Sequence, residues 1–205
     1  MLTSNRKSKY YRINQMNGTI SNFGSLEIII GPMFSGKTTE LLRRVGRYQK
    51  IGKQALVINS KRDTRCGDEI KTHNAQTHCA VKVEDLSDPI LKDNINRINV
   101  VAIDEAQFFT DLVPFVKWCL YSKHLHVIIS GLDGDFQQNV FGEILQLIPH
   151  AETCIKLNAL CVLCNDGTPA QFSARIVKPL DQELVGGSES YQAVCRKHLP
   201  QKNSP

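Results

Sequence analysis

The sequence predicts an α/β fold, a mostly parallel sheet with helices on both faces, followed by a small lobe at the C-terminus. Three observations carry this. Aliphatic runs at Leu26–Ile30, Ala55–Ile58, Ile98–Ile103 and Leu125–Gly131 alternate with segments of helical apolar spacing, and strands alternating with helices build parallel sheets wrapped on both sides. The octapeptide Gly31-Pro32-Met33-Phe34-Ser35-Gly36-Lys37-Thr38 joins the first strand to the first helix. From Cys154 onward the segments shorten, punctuated by Cys161-Val162-Leu163-Cys164, Asp166-Gly167-Thr168-Pro169 and Gly186-Gly187. Such a stretch is too small to hold itself together by burial alone.

The elements follow in order. Residues 1–24 show no clear period. Arg6, Lys7, Lys9 and Arg12 precede the first acid, Glu27, and supply most of the net charge of +5. This segment reads as a disordered basic tail, with a targeting presequence as the other reading. The rest of the chain is nearly neutral, which argues against a groove that tracks nucleic acid. After Leu26–Ile30, the spacing of Leu41, Leu42 and Val45 predicts a helix from Thr39 to about Ile51, stopped by Gly52. Ala55–Ile58 is the second strand. A polar loop with Thr72-His73 follows, then a weaker strand at Ala80–Val83 and a short helix from Asp88 to Asn96. Ile98–Ile103 ends at Asp104-Glu105. Asp111 to Ser122 is helical, with Pro114 tolerable in its first turn, and Leu125–Gly131 is the last long strand. The expected division is a tail at 1–24, a nucleotide-binding α/β domain at 25–152, a small lobe at 153–198 and a tail at 199–205. No apolar run approaches the roughly 20 residues needed to span a membrane, and no signal-peptide core is seen. No membrane partner and a cytoplasmic location are therefore expected.

Three constellations carry chemistry. Residues 31–38 fit G-x-x-x-x-G-K-[ST] between a strand and a helix, a P-loop of the RecA-like class. Its backbone N–H groups are turned toward an anion. Lys37 reaches the β- and γ-phosphates of a nucleoside triphosphate, and the Thr38 hydroxyl serves Mg²⁺. Four apolar residues before Asp104-Glu105 resemble a Walker B strand, with Asp104 completing the Mg²⁺ site. Successive strand residues face opposite ways, so Glu105 is directed elsewhere and can act as general base or position a nucleophile. Cys161-x-x-Cys164 and Cys195-x-x-His198 form two chelating pairs. Together they would fill a zinc tetrahedron with no position left open, which indicates a structural metal; a three-cysteine site with His198 exposed near the terminus is the other reading. Gly186-Gly187 before Tyr191 reads either as a close backbone approach to a ligand or as a plain turn. Phe108, Phe109, Phe136, Phe141 and Tyr191 read either as core or as stacking partners for a base.

Together these residues resemble the type II thymidine kinases, the family that includes the cytosolic animal enzymes and poxvirus-like viral ones. The resemblance runs from about Leu26 to His198. It is carried by residues 31–38, Asp63-Thr64-Arg65, Thr72-His73, Asp104-Glu105-Ala106-Gln107-Phe108-Phe109, Leu132-Asp133-Gly134-Asp135-Phe136, Phe141-Gly142, the two metal pairs, and Gly186-Gly187 with Tyr191. It implies ATP-dependent phosphorylation of the thymidine 5′-hydroxyl, with Glu105 as proton acceptor. It assigns Asp63, Thr64, Arg65, Asp104 and Gln107 to the nucleotide site. Met33, Phe108, Leu132, Phe136, Phe141 and Ser173 fall to the nucleoside site. The stretch from Gln182 to Tyr191, with Leu184, Val185 and Gly186, resembles a lasso that covers thymidine. The resemblance also implies a homotetramer inhibited by thymidine triphosphate. The chain departs from the family pattern at His198, commonly cysteine, and at Asp135, often threonine or alanine. The connection from Cys164 to Phe172-Ser173 is also longer. A nucleoside monophosphate kinase and a nucleic-acid-stimulated ATPase are the alternative readings of the loop and Asp104-Glu105.

Overall fold

The computed structural model describes residues 23–63, 69–71, 77–177 and 186–199. Six strands form one sheet: β1 (Ser25–Ile30), β2 (Ala55–Ser60), β5 (Val81–Val83), β6 (Val100–Ile103), β7 (His126–Gly131) and β8 (Thr153–Lys156). The order is β5-β2-β6-β7-β1-β8, and every pairing in it is parallel. Thr153–Lys156 thus pairs with β1, although its residues follow the expected boundary at 152.

The strand pleat divides the core in two. Ile29, Val57, Val100, Ala102 and Ile128 pack with Leu41, Leu42 and Val45 of helix α1 (Lys37–Lys50). Their sequence neighbours Leu26, Ile28, Ile58, Val101, Ile103, Val127 and Ile129 point to the other face. There they meet α2 (Pro89–Ile95) and α3 (Leu112–Tyr121). This alternation is the period of two that a pleated strand imposes, and both faces are covered, as a parallel sheet requires. Each fully buried Leu or Ile contributes roughly 1.5–3 kcal/mol.

Local chemistry sets the helix ends. The Gly52 N–H donates to the Gln49 carbonyl at 2.9 Å. Gly52 has φ 78°, a left-handed residue just past the helix that closes α1. The Asp88 side chain accepts from the Ile90 N–H at 3.0 Å, with Pro89 in the first turn of α2.

Two elements differ from expectation. The polar stretch after β2 contains a short antiparallel pair, β3 (Glu69–Lys71) with β4 (Thr77–Cys79). Three-residue strands offer too few positions for alternation to register. Ile144–His150 is a 3-10 helix, unmarked by any clear helical spacing. The C-terminal lobe holds β9 (Ala159–Leu160) paired with β10 (Pro169–Ala170), and β11 (Phe172–Arg175) paired with β12 (Tyr191–Val194), both antiparallel. Its core is small: Ala159, Cys161, Ala170, Ala174, Ala193, Val194 and Cys195. Among the described residues no helix is long and apolar enough to cross a membrane.

Candidate active site and metal centre

Strand order explains why the site residues meet. β6, β7 and β1 are adjacent in the order β6-β7-β1; Asp104 follows β6, Ser130 lies near the end of β7, and the loop after β1 leads to Thr38. The Thr38 hydroxyl, in the first turn of α1, donates to Asp104 Oδ2 at 2.8 Å. The Ser130 hydroxyl, near the end of β7, donates to Asp104 Oδ1. Asp104 is 3% exposed. Burial first, and then the Glu105 charge, push its carboxyl up to about 6, against the donors on Ser130 and Thr38. A cation placed there would relieve both causes.

The loop at 31–38 is wound back on itself. The Ser35 hydroxyl and Lys37 Nζ both donate to the Pro32 carbonyl, at 2.8 and 2.7 Å. Phe34 and Gly36 have φ of 64° and 80°. A Cβ placed on Gly36 would meet nothing within 4 Å, so the backbone there is open to an approaching group. Gly36 caps α1 with no side-chain hydrogen bond, leaving helix N–H donors for an anion. At the other end of the loop, a Cβ on Gly31 would lie 2.4 Å from the Leu157 carbonyl. The Met33 N–H donates to Ser173 Oγ of β11 at 2.9 Å, which brings the small lobe to the loop.

Glu105 is turned away from the Thr38–Asp104 pair by a left-handed backbone, φ 50° and ψ 42°, strain that a non-glycine residue keeps only where its surroundings impose it. Its Oε2 accepts from Gln107 Nε2 at 2.6 Å, and Gln107 Oε1 accepts from the Leu132 N–H at 3.0 Å. Two glycines make room for Gln107. A Cβ on Gly131 would lie 2.6 Å from Gln107 Oε1, and one on Gly142 would lie 2.3 Å from the Gln107 carbonyl oxygen. Phe108 and Phe141 meet edge to face at 5.8 Å between ring centres. Phe109 is 1% exposed and belongs to the core.

Other expected residues are placed as follows. Asp63 lies past β2, where its Oδ2 accepts from Asn59 Nδ2 at 3.1 Å and its carbonyl accepts from Lys82 Nζ at 2.8 Å. This is the β5 side of the sheet. Gly186-Gly187 is a compact turn. The Gly187 carbonyl accepts from the Ser190 and Tyr191 N–H groups at 3.1 and 3.0 Å, and the Gly187 N–H donates to Glu189 Oε1 at 2.6 Å. Thr64, Arg65, Thr72, His73, Gln182, Leu184 and Val185 lie outside the described residues. Sequence reasoning missed Ser130, whose signal was a lone hydroxyl in the buried run Val127-Ile128-Ile129.

The two metal pairs converge. The ligand atoms of Cys161, Cys164, Cys195 and His198 all lie within 4.8 Å of one another. His198 Nδ1 is 3.5, 3.4 and 3.6 Å from the sulfurs of Cys161, Cys164 and Cys195, and Cys164 and Cys195 sulfurs are 3.7 Å apart. Zinc bonds of about 2.3 Å to sulfur and about 2.0–2.1 Å to nitrogen generate tetrahedral edges of about 3.8 Å and about 3.6 Å. The donor set therefore fits zinc, with Nδ1 as the histidine ligand. Burial opposes ionisation of Cys161, but N–H donors of the knuckle and His198 outweigh it and bring the thiol to about 6. Cys164 is pushed up to about 11 by burial and by its sulfur neighbours, as expected of thiols that share one small site.

Comparison with known proteins gives one consistent result. The thymidine kinase family model matches residues 24–199. The chain is 42% identical over 176 residues to the thymidine kinase of Monkeypox virus, covering 86% of this chain and 97% of that protein. It is 42% identical to that of Sheeppox virus (strain KS-1) with the same coverage. Identity to that of Myxoma virus (strain Uriarra) is 40% over 174 residues, covering 85% of this chain and 95% of that protein.

Proposed function

The chain belongs to the thymidine kinase family and is a kinase that phosphorylates thymidine, and from that premise we propose how its residues do so. ATP is the phosphoryl donor, and its triphosphate lies along residues 31–38, with the α1 N–H groups and Lys37 on the phosphates. Lys37 gives up its bond to the Pro32 carbonyl to reach them. Thr38 and Asp104 would hold Mg²⁺, which supplies charge neutralisation on the phosphate oxygens. Asp63, Thr64, Arg65 and Gln107 complete the nucleotide side.

Glu105 accepts the 5′-hydroxyl proton. The observation that carries this is its separation from the Thr38–Asp104 pair: one carboxylate faces two hydroxyls, and the next is held by Gln107. The two acids thus have different partners and can have different tasks. Gln107, anchored on the Leu132 N–H, orients Glu105. Met33, Phe108, Leu132, Phe136, Phe141, Ser173 and Tyr191 line the nucleoside pocket. Gln182, Leu184, Val185 and Gly186 belong to a lasso over it. Most of the rate then comes from positioning and fixed charges.

Zinc on Cys161, Cys164, Cys195 and His198 would supply structure to the lobe. A nucleotide-binding unit at 25–152 and a substrate-covering lobe at 153–198, between tails at 1–24 and 199–205, belong to the same reading. In its support, β9 to β12 pair only with one another, while β8 ties the lobe to the sheet. A cytoplasmic homotetramer subject to inhibition by thymidine triphosphate completes it.

The test is phosphate transfer from labelled ATP with Mg²⁺ to thymidine, deoxycytidine, deoxyguanosine and thymidine monophosphate in parallel. Transfer to thymidine alone is expected. Transfer only to the monophosphate, or hydrolysis without nucleoside product, overturns the proposal.

A further inference from the structure

Arg175 is the last residue of β11 and the cross-strand partner of Tyr191 at the start of β12. Its guanidinium carbon lies 4.1 Å from the centre of the Phe136 ring and 5.1 Å from that of Tyr191. Its Nε and Nη2 also donate to the Tyr191 hydroxyl, at 3.2 and 2.5 Å. One planar cation therefore touches two aromatic rings from different parts of the chain. Arginine suits this place because its flat fork stacks and donates at once, which a lysine ammonium cannot do.

Both rings are held from behind. Phe136 sits in a loop closed by Asp135, which is 8% exposed. Asp135 Oδ1 accepts from the Gln137 and Asn139 N–H groups at 2.8 and 2.9 Å, and the Asp135 N–H donates to the Asn139 carbonyl at 2.9 Å. Tyr191 begins the strand that leads to Cys195 of the metal cluster. Ser173 lies two residues before Arg175 on β11, so both project from the same face of that strand. Ser173 meets the Met33 N–H. One face of one short strand thus contacts the phosphate loop through Ser173 and the Phe136 loop through Arg175.

We propose that Arg175 is a positioning residue for the nucleoside site, joining Phe136 to Tyr191 so that the metal-bearing lobe sets the place of the Phe136 ring. It touches neither phosphate nor reacting hydroxyl in this role. The inference rests on the reading that Phe136 lines the nucleoside pocket. Loss of such a contact weakens ground state and transition state alike, so it raises KM for the nucleoside and spares kcat.

The experiment uses the full chain with ATP and Mg²⁺, varying thymidine and ATP separately, for Arg175→Met, Arg175→Lys and Phe136→Leu. For Arg175→Met, a thymidine KM about tenfold higher is expected, with kcat within about twofold and the ATP KM unchanged. Arg175→Lys keeps the charge and recovers part of the loss, to about threefold. An unchanged thymidine KM overturns the inference, as does a joint decline of kcat with both KM values, which marks a general structural role. If Arg175→Met does not fold, the same split in Arg175→Lys decides. Phe136→Leu separates the two readings. If it raises the thymidine KM while the arginine variants do not, only the role of Arg175 falls. If it leaves the thymidine KM unchanged, the pocket reading falls and this inference with it.

Discussion

The sheet and the C-terminal lobe solve the same problem by different physics. The sheet places Thr38, Asp104, Glu105 and Ser130 by burying long aliphatic strands beneath them; Ile28, Ile29, Val101, Ile103, Val127 and Ile129 are fully buried. The lobe must hold Ser173 against the Met33 loop, and Arg175 and Tyr191 against Phe136, with a core made largely of alanine and cysteine. What it lacks in apolar area it can recover from four converging ligands. The comparison teaches that the sheet is held by burial, whereas the lobe, with so small a core, would draw its stability from a metal.

The largest expected effect breaks the comparison at the metal. Stripping zinc with a strong chelator, or replacing Cys161 by serine, is expected to unfold the lobe and abolish thymidine binding while the sheet keeps its own transition. Structural zinc is worth on the order of 10 kcal/mol or more in small domains. Circular dichroism and thymidine binding, followed together against metal content, check this; full thymidine binding by zinc-free protein would contradict it.

Next comes the core of the sheet. Leu41 is fully buried between α1 and the strands, and Leu41→Ala is expected to cost about 3 kcal/mol in denaturant unfolding. A comparable loss from Leu160→Ala, 66% exposed in the lobe, would erase the distinction between the two regions.

At the site itself, Glu105→Gln is expected to leave ATP binding nearly intact and lower turnover by roughly 10²-fold or more. Near-normal turnover would remove Glu105 from its role. A smaller effect is expected at Gly142, where φ is +67° and a Cβ would collide with the Gln107 backbone. Gly142→Ala is expected to cost about 1–3 kcal/mol of stability and to lower kcat by disturbing Gln107 and hence Glu105. Unfolding midpoints and steady-state rates measure the two consequences separately.

The smallest effect lies at the opposite, amino-terminal end of the sheet. His126 Nε2 is 3.0 Å from Glu27 Oε1, and Arg44 pairs with the same carboxylate. His126 first, and Arg44 after it, hold the Glu27 carboxyl below its ordinary value of 4.5, against partial burial. A depressed carboxyl contributes stability that is present above its unfolded value and lost as pH falls through the folded one. Glu27→Gln is therefore expected to be less stable than the parent by about 1 kcal/mol at neutral pH. The gap should close as pH falls below the ordinary carboxyl value and through the lowered one of folded Glu27. Thymidine kinetics should not change, since none of Glu27, Arg44 and His126 touches Asp104 or Glu105 among the described contacts. A gap that widened in acid would refute the assignment.

Much of this protein was legible in its sequence because the signals were local. Aliphatic runs located β1, β2, β6 and β7, Gly52 located the end of α1, and the short helix expected from Asp88 to Asn96 is α2. The Lys37-Thr38 and Asp104 motifs and the paired cysteines were legible as spacings, and the fold brings Thr38 to Asp104 and the four metal-ligand candidates to one another. Asp104 and Glu105 do take different partners, but not through strand alternation: the strand ends at Ile103, and the left-handed backbone of Glu105 separates them.

Other features depended on the tertiary structure, because they join residues that sequence distance does not relate. That β8 lies against β1, that Ser130 donates to Asp104, and that Gly131 and Gly142 clear space for Gln107 all follow from strand order, which a chain of aliphatic runs leaves open. The placing of His198 Nδ1 among the three cysteines follows from packing within the lobe, and the stacking of Arg175 on Phe136 from packing of the lobe against the loop after β7. Local propensity is written in neighbours along the chain. Contact across 30 or 100 residues is decided by which buried faces fit, and only the folded core makes that choice.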